Sequence, residues 1–427
     1  MKPPLFLLFL FTLLFVLAGM ITLSGELIAL AAPFLVMAIV SIMTRPAAPR
    51  LRFEHEVSPK RARQNEPLNI EVRITNQGAD IPELVVSETI FEGMRVLKGT
   101  PKVLAYLPSG DSLALEYTLQ ASRGRYNQFL TQLALTQPLG GFEWKALHSD
   151  AVPVLVYPQA ETLSPIRIHP PQTHGFAGSI PSRRGGSGLD FLTIREYQPG
   201  DSLRKINWKV SQRGNQTLYT NIFEQEQVAD VGIILDARQH VNLAAGQDSI
   251  FENSVSAAAS LAELFIGDGH RVSLLVYGSG KQRVFPGYGR LQQRRILDTV
   301  SAVTPVLNFA LTNFDNLPVR FFAPKSQIIL ISPIVREDIP YIRKMVMRGY
   351  GVMLISPNPI KFIAKARGDN DSLGYRFAIA ERTFMLQQLR QIGVQVVDWE
   401  TGESLNSTLQ RSLHTLQPNI RRGRILV

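Results

Sequence analysis

The chain has 427 residues, of which 45% are hydrophobic and 19% are charged, and its 45 Lys and Arg against 35 Asp and Glu give a net charge of +10. At roughly 150 residues per domain, this length allows two or three domains with a sizeable core. There is no cysteine. That excludes disulfides, thiolate catalysis, cysteine zinc sites and iron–sulfur clusters.

The chain begins with two uncharged apolar runs. Pro4–Leu23 has twenty residues and Leu27–Met43 has seventeen, and only Ser24, Gly25 and Glu26 separate them. At about 1.5 Å per residue, the first run covers roughly the 30 Å of a bilayer core. A cleaved signal peptide has a shorter apolar region and no second run directly behind it. We therefore expect a two-helix transmembrane hairpin over residues 1–45.

Basic residues give the expected orientation of this hairpin. Lys2 precedes the first run and several arginines, beginning with Arg45, follow the second, whereas the intervening turn carries only Glu26. The positive-inside rule then places both termini and the soluble domains on the cytoplasmic side of the plasma (inner) membrane. The excess positive charge is explained by this topology and by contact with membrane lipid, so we predict no nucleic-acid partner.

Residues 51–158 show the alternation of apolar and polar residues that is typical of strands. It is clearest in 68–74, 113–119 and 130–135, and turn residues such as Pro108–Asp111 separate the strands. Short strands at this spacing predict an all-β, antiparallel β-sandwich domain. Nothing in it suggests catalysis, because His55 and His148 lack the spacing of metal ligands.

Residues 230–427 change to an alternation of strands and helices. Val231–Leu235 is a continuous apolar run that ends at Asp236, as in a parallel strand buried on both faces, and Ser249–Ile266 has helical spacing. The alternation continues with strands 271–277, 328–332, 352–356 and 394–398 and helices 291–303, 339–347, 383–392 and 405–416. Five strands alternating with helices predict a doubly wound α/β domain. Ligands of such folds bind beyond the carboxyl ends of the strands.

Between these domains lies a linker, residues 159–229, that contains an unusual stretch, Arg183–Ser211, which we call the signature segment. It mixes aromatic residues with charges of both signs and has no regular period. Its glycine run, 185–188, follows no strand and lacks the Lys-Ser/Thr ending of a phosphate-binding loop, so we expect a flexible loop there. The residues that we single out are Asp190, Arg195, Glu196, Tyr197, Pro199, Gly200, Asp201, Arg204, Asn207, Trp208 and Lys209.

Three interpretations of the signature segment remain open. Pro199, Gly200 and Asp201 predict a turn, and we expect Arg204 and Lys209 to pair with Asp201 or with the nearby acids Glu196 and Asp190 in an internal ion-pair network. A protein-docking surface is the second interpretation, because Trp, Tyr and Arg are common interface residues. The third is a metal-assisted hydrolase or nuclease that uses Glu196, Asp201 and Lys209.

The signature segment resembles that of the family known as domain of unknown function 58. The resemblance rests on Gly-x-Gly-x-Asp-Phe at 186–191, Arg-Glu-Tyr-x-Pro-Gly-Asp at 195–201 and Arg-x-Ile-Asn-Trp-Lys-x-Ser at 204–211. The two N-terminal spans and the β-rich region agree with it. It implies a C-terminal half, residues 230–427, similar to von Willebrand factor type A domains. It also implies association with MoxR-type AAA+ ATPases in a chaperone-like or assembly role.

One departure from the type A pattern is visible. Type A domains with a metal site carry Asp-x-Ser-x-Ser after the first strand and an acid after a later one, whereas this chain has Asp236-Ala-Arg238-Gln-His240, and Ser332 where the acid is expected. Hard divalent cations need oxygen ligands, and Arg238 would repel them. We therefore expect no metal and no cofactor, with Asp236 paired to Arg238 or to a residue of Arg195–Lys209.

These observations favour a non-enzymatic protein that is anchored in the membrane and presents its type A-like domain to a MoxR-type AAA+ ATPase or to an unknown client protein. No catalytic residue is assigned. The hydrolase described above is the alternative.

Overall fold

The computed structural model describes residues 3–43, 48–136, 143–166, 168, 180–212, 217–246, 248–280, 282–308, 311–368 and 372–415. The chain forms two compact units, Met1–Tyr157 and Pro158–Val427. Each unit is described by itself.

The first unit begins with two apolar helices, α1 (Pro3–Thr22) and α2 (Gly25–Met43), both long and apolar enough to cross a membrane. They lie side by side, with the ring of Phe34 stacked at 5.6 Å from Phe11 and 5.7 Å from Phe15. A Cβ at Gly19 would lie 2.5 Å from Ile28, so the glycine permits this close approach. The predicted pair of apolar helices is confirmed.

Over its described residues, the rest of the first unit is built from eleven strands. They are β1 (Leu51–Ser58), β2 (Arg61–Arg63), β3 (Pro67–Asn76), β4 (Ile81–Glu88), β5 (Met94–Gly99), β6 (Lys102–Leu107), β7 (Ser112–Ala121), β8 (Gly124–Tyr126), β9 (Phe129–Thr136), β10 (Glu143–Asp150) and β11 (Val154–Tyr157). Two antiparallel four-stranded sheets have the orders β1-β3-β7-β5 and β10-β9-β4-β6, and a three-stranded sheet has the order β2-β11-β8.

The two larger sheets share one core. Buried side chains of the first sheet, such as Val72 and Leu119, belong to the same apolar cluster as Leu84 and Leu133 of the second. Strand β3 alternates buried and exposed residues along its length, which is the period-two pattern read from the sequence. This arrangement is a β-sandwich.

The second unit starts with a long antiparallel pair, β12 (Ile180–Glu196) and β13 (Tyr219–Gln227). Between them lie a 3₁₀ turn, Leu203–Lys205, and the short helix α3 (Trp208–Ser211). The glycine run 185–188 is therefore part of a strand and not the flexible loop that its composition predicts. Register shifts interrupt the pairing on both sides of Gly185 and Gly186, where glycines tolerate an irregular backbone.

The remaining elements of the second unit are strands β14 (Asp230–Asp236), β15 (Ala244–Ala245), β16 (Asp248–Ser249), β17 (Arg271–Tyr277), β18 (Arg283–Gly287), β19 (Gln327–Ile331), β20 (Gly351–Pro357) and β21 (Gln395–Trp399), and helices α4 (Ile250–Gly267), α5 (Gly289–Ala302), α6 (Ile339–Met347), α7 (Pro359–Arg367), α8 (Leu373–Gln391) and α9 (Leu405–Thr415). Six strands form one sheet in the order β18-β17-β14-β19-β20-β21. All neighbours are parallel except β17 and β18.

The five predicted strands of this region are the five parallel strands of the sheet, but three features differ from the prediction. Edge strand β18 and helix α7 were not predicted, since both are short and contain a proline near one end. Helix α8 begins at Leu373, ten residues before the predicted start. Its first turns were missed because Leu373 and Phe377 point outward, so they do not continue the buried face of the helix.

Candidate functional site

The carboxyl edge of the six-stranded sheet contains a buried ion-pair cluster. Strand β14 ends at Asp236, and Arg238 follows in the loop, with side chains 0% and 1% exposed. The Asp236 carboxylate accepts hydrogen bonds from the Arg238 backbone N–H at 3.0 Å, from Nε at 2.9 Å and from Nη2 at 2.7 Å. The expected pairing of Asp236 with Arg238 is therefore confirmed.

A second carboxylate and a hydroxyl come from the segment after β19. Asp338 accepts from Arg238 Nη1 at 3.0 Å and from Nη2 at 2.8 Å, and Ser332 Oγ donates to Asp236 at 2.6 Å. We name Asp236, Arg238, Ser332 and Asp338 the edge cluster. Asp338 was not predicted, because it lies six residues beyond Ser332, in a 3₁₀ turn (Arg336–Asp338) rather than at the strand end.

Every side-chain donor of Arg238 is used. Its five N–H groups reach Asp236, Asp338 and the carbonyl of Thr312, the last at 2.8 Å. The guanidinium also lies over the ring of Phe314, 4.2 Å from its centroid. Although burial favours the neutral form, the two carboxylates raise the pKa of Arg238, so the group stays charged. The cluster is thus a satisfied set of buried charges.

The backbone around the edge cluster has unusual conformations. Gly278, directly after β17, has φ +102°, and a Cβ there would lie 2.6 Å from the backbone nitrogen of Arg238. Ile334 has φ +39°, which a β-branched residue rarely adopts, and its N–H donates to Ser332 Oγ. The hydrogen bonds of the cluster therefore hold the loop after β19 in a strained form.

A second buried arginine closes the same edge further along the sheet. Arg382 of α8 donates from Nη2 to Asp398 at 2.8 Å and to Ser356 Oγ at 2.9 Å, and from Nη1 to the carbonyl of Pro333 at 3.2 Å. Its side chain thereby joins the ends of β19, β20 and β21. Two internal cations thus take up the edge where doubly wound folds bind ligands.

In the signature segment, the predicted turn at 199–201 is confirmed, but Asp201 pairs with Arg195 and not with Arg204 or Lys209; pairing with the Asp190 side chain lies outside the described residues. Gln198 to Asp201 form a turn with Gly200 at φ +107°, closed by the Asp201 N–H on the Gln198 carbonyl at 3.0 Å. The Asp201 carboxylate accepts from Arg195 Nη2 at 2.7 Å and from the Gln198 N–H at 2.9 Å. These two bonds hold the pKa of Asp201 below its usual value.

Asn207 organises the rest of the segment. Its side chain caps α3 by accepting from the Val210 N–H at 3.1 Å, and it donates to Asn221 on β13 at 2.8 Å. Its backbone N–H donates to the Tyr219 carbonyl, and Ser211 Oγ bonds its carbonyl. Asn207 is therefore a structural residue that ties α3 to the strand behind it.

Other signature residues face solvent. Trp208 is 61% and Leu203 is 68% exposed. The side chains of Arg204 and Lys209 are exposed as well, and within the described part of the chain neither makes an ion pair. Their expected pairing with Asp201 fails because Arg195, six residues earlier on β12, already occupies that carboxylate.

The remaining predicted residues are less informative. Glu196 is exposed at the end of β12, where its carbonyl accepts from Arg195, and Tyr197 is half-buried. Asp190 lies in β12, and only its backbone is described. Of the predicted set, the structure joins Arg195 with Asp201 and does not link Glu196 or Lys209 to that pair.

The β-sandwich contains a buried charge cluster that the sequence analysis also missed. His55 has a side chain 0% exposed, and its Nδ1 lies 2.5 Å from Asp150 Oδ2. Its Nε2 lies 3.5 Å from Glu88 and 3.2 Å from Thr131 Oγ1. Despite burial, the two carboxylates raise the pKa of His55. These residues are far apart in the sequence, so no spacing pattern could reveal them.

A metal centre needs several ligating side chains around one point. Among the residues that the structure describes, no group of three or more His, Asp or Glu side chains could hold a metal ion. In the edge cluster the position between the carboxylates is taken by the Arg238 guanidinium.

Residues 193–347 match the family described as "Protein of unknown function DUF58". A curated relative, the "Uncharacterized protein YeaD" of Bacillus subtilis (strain 168), is 26% identical over 207 residues, which are 48% of this chain and 49% of the relative. The chain thus spans about half the length of the curated relative that it matches. The resemblance to domain of unknown function 58 is confirmed over residues 193–347.

Similarity to solved structures is low. A part of alpha-2-macroglobulin from Escherichia coli matches with a TM-score of 0.23 and 16% identity, over 27% of this chain and 17% of that chain. The CARDB domain of a Pyrococcus furiosus protein matches with a TM-score of 0.19 and 15% identity, over 26% and 97% of the two chains. The cupredoxin domain of amoB from Nitrosocaldus yellowstonii has a TM-score of 0.20 and 14% identity, over 28% and 95%. At these scores the likeness carries no conclusion about function.

Proposed function

We propose that this chain is a membrane-anchored interaction protein. In this proposal, α1 and α2 span the plasma (inner) membrane with both termini in the cytoplasm, and the six-stranded domain acts as a type A-like module. The module docks a MoxR-type AAA+ ATPase in a chaperone-like or assembly role.

The edge cluster is the observation that carries the proposal. The sheet is doubly wound, with β14 at its centre and the chain building outward first to β18 and then to β21. At its carboxyl edge, Arg238 supplies a permanent positive charge between Asp236 and Asp338. This favours a module that keeps the type A-like architecture with an internal cation in the place of a metal ion. Such an edge leaves the two carboxylates engaged by the guanidinium, which argues against metal chemistry there.

The exposed side of the signature segment is the docking surface of the proposal. Leu203 and Trp208 are large apolar side chains that stand in solvent, with Arg204 and Lys209 next to them in the sequence. The surface is rigid, because Asn207 fastens α3 to β13. Trp and Arg are among the residue types enriched in interface hot spots.

The test is a crosslinked pull-down from native membranes with the tagged full chain. The variant Leu203→Ser/Trp208→Ala removes the docking residues without touching the Arg195–Asp201 bond. Phe285→Ala, which removes an aromatic side chain 63% exposed on β18, is the matched control. We expect wild type and control to capture a AAA+ ATPase and the docking variant to lose it. Equal capture by all three would place docking elsewhere.

The hydrolase alternative predicts divalent-cation binding that depends on Glu196, Asp201 and Lys209. It requires the Asp201 carboxylate to leave Arg195, because that pair and the Gln198 N–H now use both of its oxygens. Calorimetric titration of the full chain with Mg²⁺ and Mn²⁺, repeated with Asp201→Asn, separates the two functions. Cation binding that the variant abolishes would favour the hydrolase.

A further inference from the structure

Helix α8 carries an apolar stripe that faces solvent. Leu373 is 83%, Phe377 is 70% and Phe384 is 59% exposed, and Ala380 between them is exposed as well. The spacings of four, three and four residues put these side chains on one line along the helix. Large apolar side chains on one exposed helix face are typical of a protein interface.

The stripe belongs to a firmly held helix. On the opposite side of α8, Leu386 and Leu389 are buried in the core of the sheet, and Arg382 bonds the ends of three strands. Ser372 caps the start of the helix by accepting from the Tyr375 N–H. The outward direction of Phe377 and Phe384 is therefore fixed by the packing of the inner face and not by a frayed end.

We propose that α8 pairs with α8 of a second copy of this chain, parallel and in register. The stripe has the spacing of the central positions of a coiled coil. Arg376 and Glu381 flank it on opposite sides, five residues apart, which is the separation at which flanking residues of two parallel helices meet. A two-fold axis then forms two identical ion pairs, each between Arg376 of one copy and Glu381 of the other.

Charge and size both fit a second copy. Neither Arg376 nor Glu381 makes an ion pair within the described ranges of the chain, so both charges are available. Ala380 gives space beside the rings of Phe377 and Phe384, so the backbones can approach closely. In an antiparallel pair, each flank would face the same flank of the other helix, and Arg376 would not meet Glu381.

The contact is short. A stripe of about three turns buries less than the roughly 1,200–2,000 Å² of a standard interface, so the proposal is a weak dimer. In part it rests on the membrane anchor of the proposed function, since confinement to one bilayer raises the effective concentration of the two copies. The dimer must therefore be measured with the full chain in membranes.

Because the chain has no cysteine, a single introduced thiol reports on this contact without background. Ala380 of one copy lies opposite Ala380 of the other in the proposed pair. We expect Ala380→Cys to form a disulfide-linked dimer under mild oxidation in native membranes. Arg294→Cys, exposed on α5, is the control and is expected to stay monomeric. Equal cross-linking of both, or of neither, would overturn the proposal.

A charge swap tests orientation and register. In the Ala380→Cys background, Arg376→Glu and Glu381→Arg are each expected to lose the cross-linked dimer, because each places like charges together. The double variant restores it, and so does coexpression of the two single variants, since every pair across the axis then has opposite signs. If neither combination restores cross-linking, the parallel pairing is wrong, even if Ala380→Cys cross-links by itself. ATPase capture by these variants tests the proposed function separately, because the swap leaves the signature segment intact.

Discussion

Both units contain a buried basic side chain between two carboxylates, but the basic residue differs. In the β-sandwich, His55 lies between Asp150 and Glu88, and in the six-stranded domain Arg238 lies between Asp236 and Asp338. Each places one buried cation between two carboxylates that are distant in the sequence. A buried carboxylate without a partner is very costly, so the cation favours burial of Glu88, Asp236 and Asp338, whereas the Asp150 side chain is 27% exposed.

The cations differ in how they respond to pH. Arg238 cannot lose its proton in the accessible range, whereas His55 titrates. The Arg238 guanidinium therefore keeps its charge, whereas the ion pairs of His55 stabilise their unit most while the imidazole carries a proton. The chemistry of the buried cation thus decides whether that cation itself responds to pH.

Replacing Arg238 should cause the largest loss of stability. Arg238→Ala leaves Asp236 and Asp338 buried without a partner, and we expect the second unit to lose about 3–5 kcal/mol of its free energy of unfolding. Urea unfolding of the full chain in detergent, followed by hydrogen exchange in β14 and β19, measures the loss. Arg294→Ala, exposed on α5, is the control and should change stability little. A small loss in Arg238→Ala would mean that water can enter the cluster.

Replacing His55 should lower the stability of its unit by less than replacing Arg238 does. It should also reduce the dependence of that stability on pH. His55→Gln loses charged hydrogen bonds to Asp150 and Glu88, and we expect a loss of about 1.5–3 kcal/mol in the first unit at acid pH. The pKa of His55 is raised in the folded chain, so its contribution is complete below the unfolded value of 6.5 and disappears as the pH rises through the folded pKa. The free energy of opening in β1 and β9, obtained from hydrogen exchange after correction for the intrinsic exchange rate, should fall with rising pH in wild type and change less in the variant.

A second buried histidine, His270, gives the opposite sign and serves as an internal control. Burial lowers the pKa of His270 to about 4. As the pH falls from 6.5 towards 4, the unfolded chain takes up a proton that the folded chain does not, so His270 destabilises the second unit in acid. The free energy of opening in β17, obtained from hydrogen exchange after correction for the intrinsic exchange rate, should therefore fall in that range. The same direction in both units would contradict the contrast between His55 and His270.

The backbone that shapes the edge cluster provides a smaller test. Gly278→Ala puts a Cβ 2.6 Å from the backbone nitrogen of Arg238 at a φ of +102°, and we expect a loss of more than about 1 kcal/mol in the second unit. Gly280→Ala, also at positive φ but with open space around its Cβ, is the matched control. The excess loss of Gly278→Ala over this control measures the contact with the Arg238 loop. Equal losses would mean that only the backbone conformation matters.

The sequence predicted those features that depend on local patterns. The run Val231–Leu235 and its neighbours repeat often enough to reveal a parallel sheet, and Asp236 and Arg238 are two residues apart, so their pairing was foreseeable. Asp338 and Asp150 were missed because their partners lie 100 and 95 residues away, and only the folded chain brings them together. The predicted start of helix α8 was too late, because the apolar residues of its first turns face solvent and do not lie on the buried face of the helix.

The smallest effect is expected in the signature segment, where the ion pair is open to water. Arg195 and Asp201 are 37% and 20% exposed, unlike the two buried clusters. Solvent screens such a pair, so Arg195→Ala should barely change the urea midpoint of the second unit. The substitution should instead loosen the turn at residues 198–201, because the Asp201 carboxylate then keeps only its bond to the Gln198 N–H. Faster hydrogen exchange confined to residues 197–205, at an unchanged midpoint, would distinguish a local positioning bond from a stabilising one. A lower midpoint would instead place Arg195–Asp201 with the Arg238 cluster as a contributor to the stability of the fold.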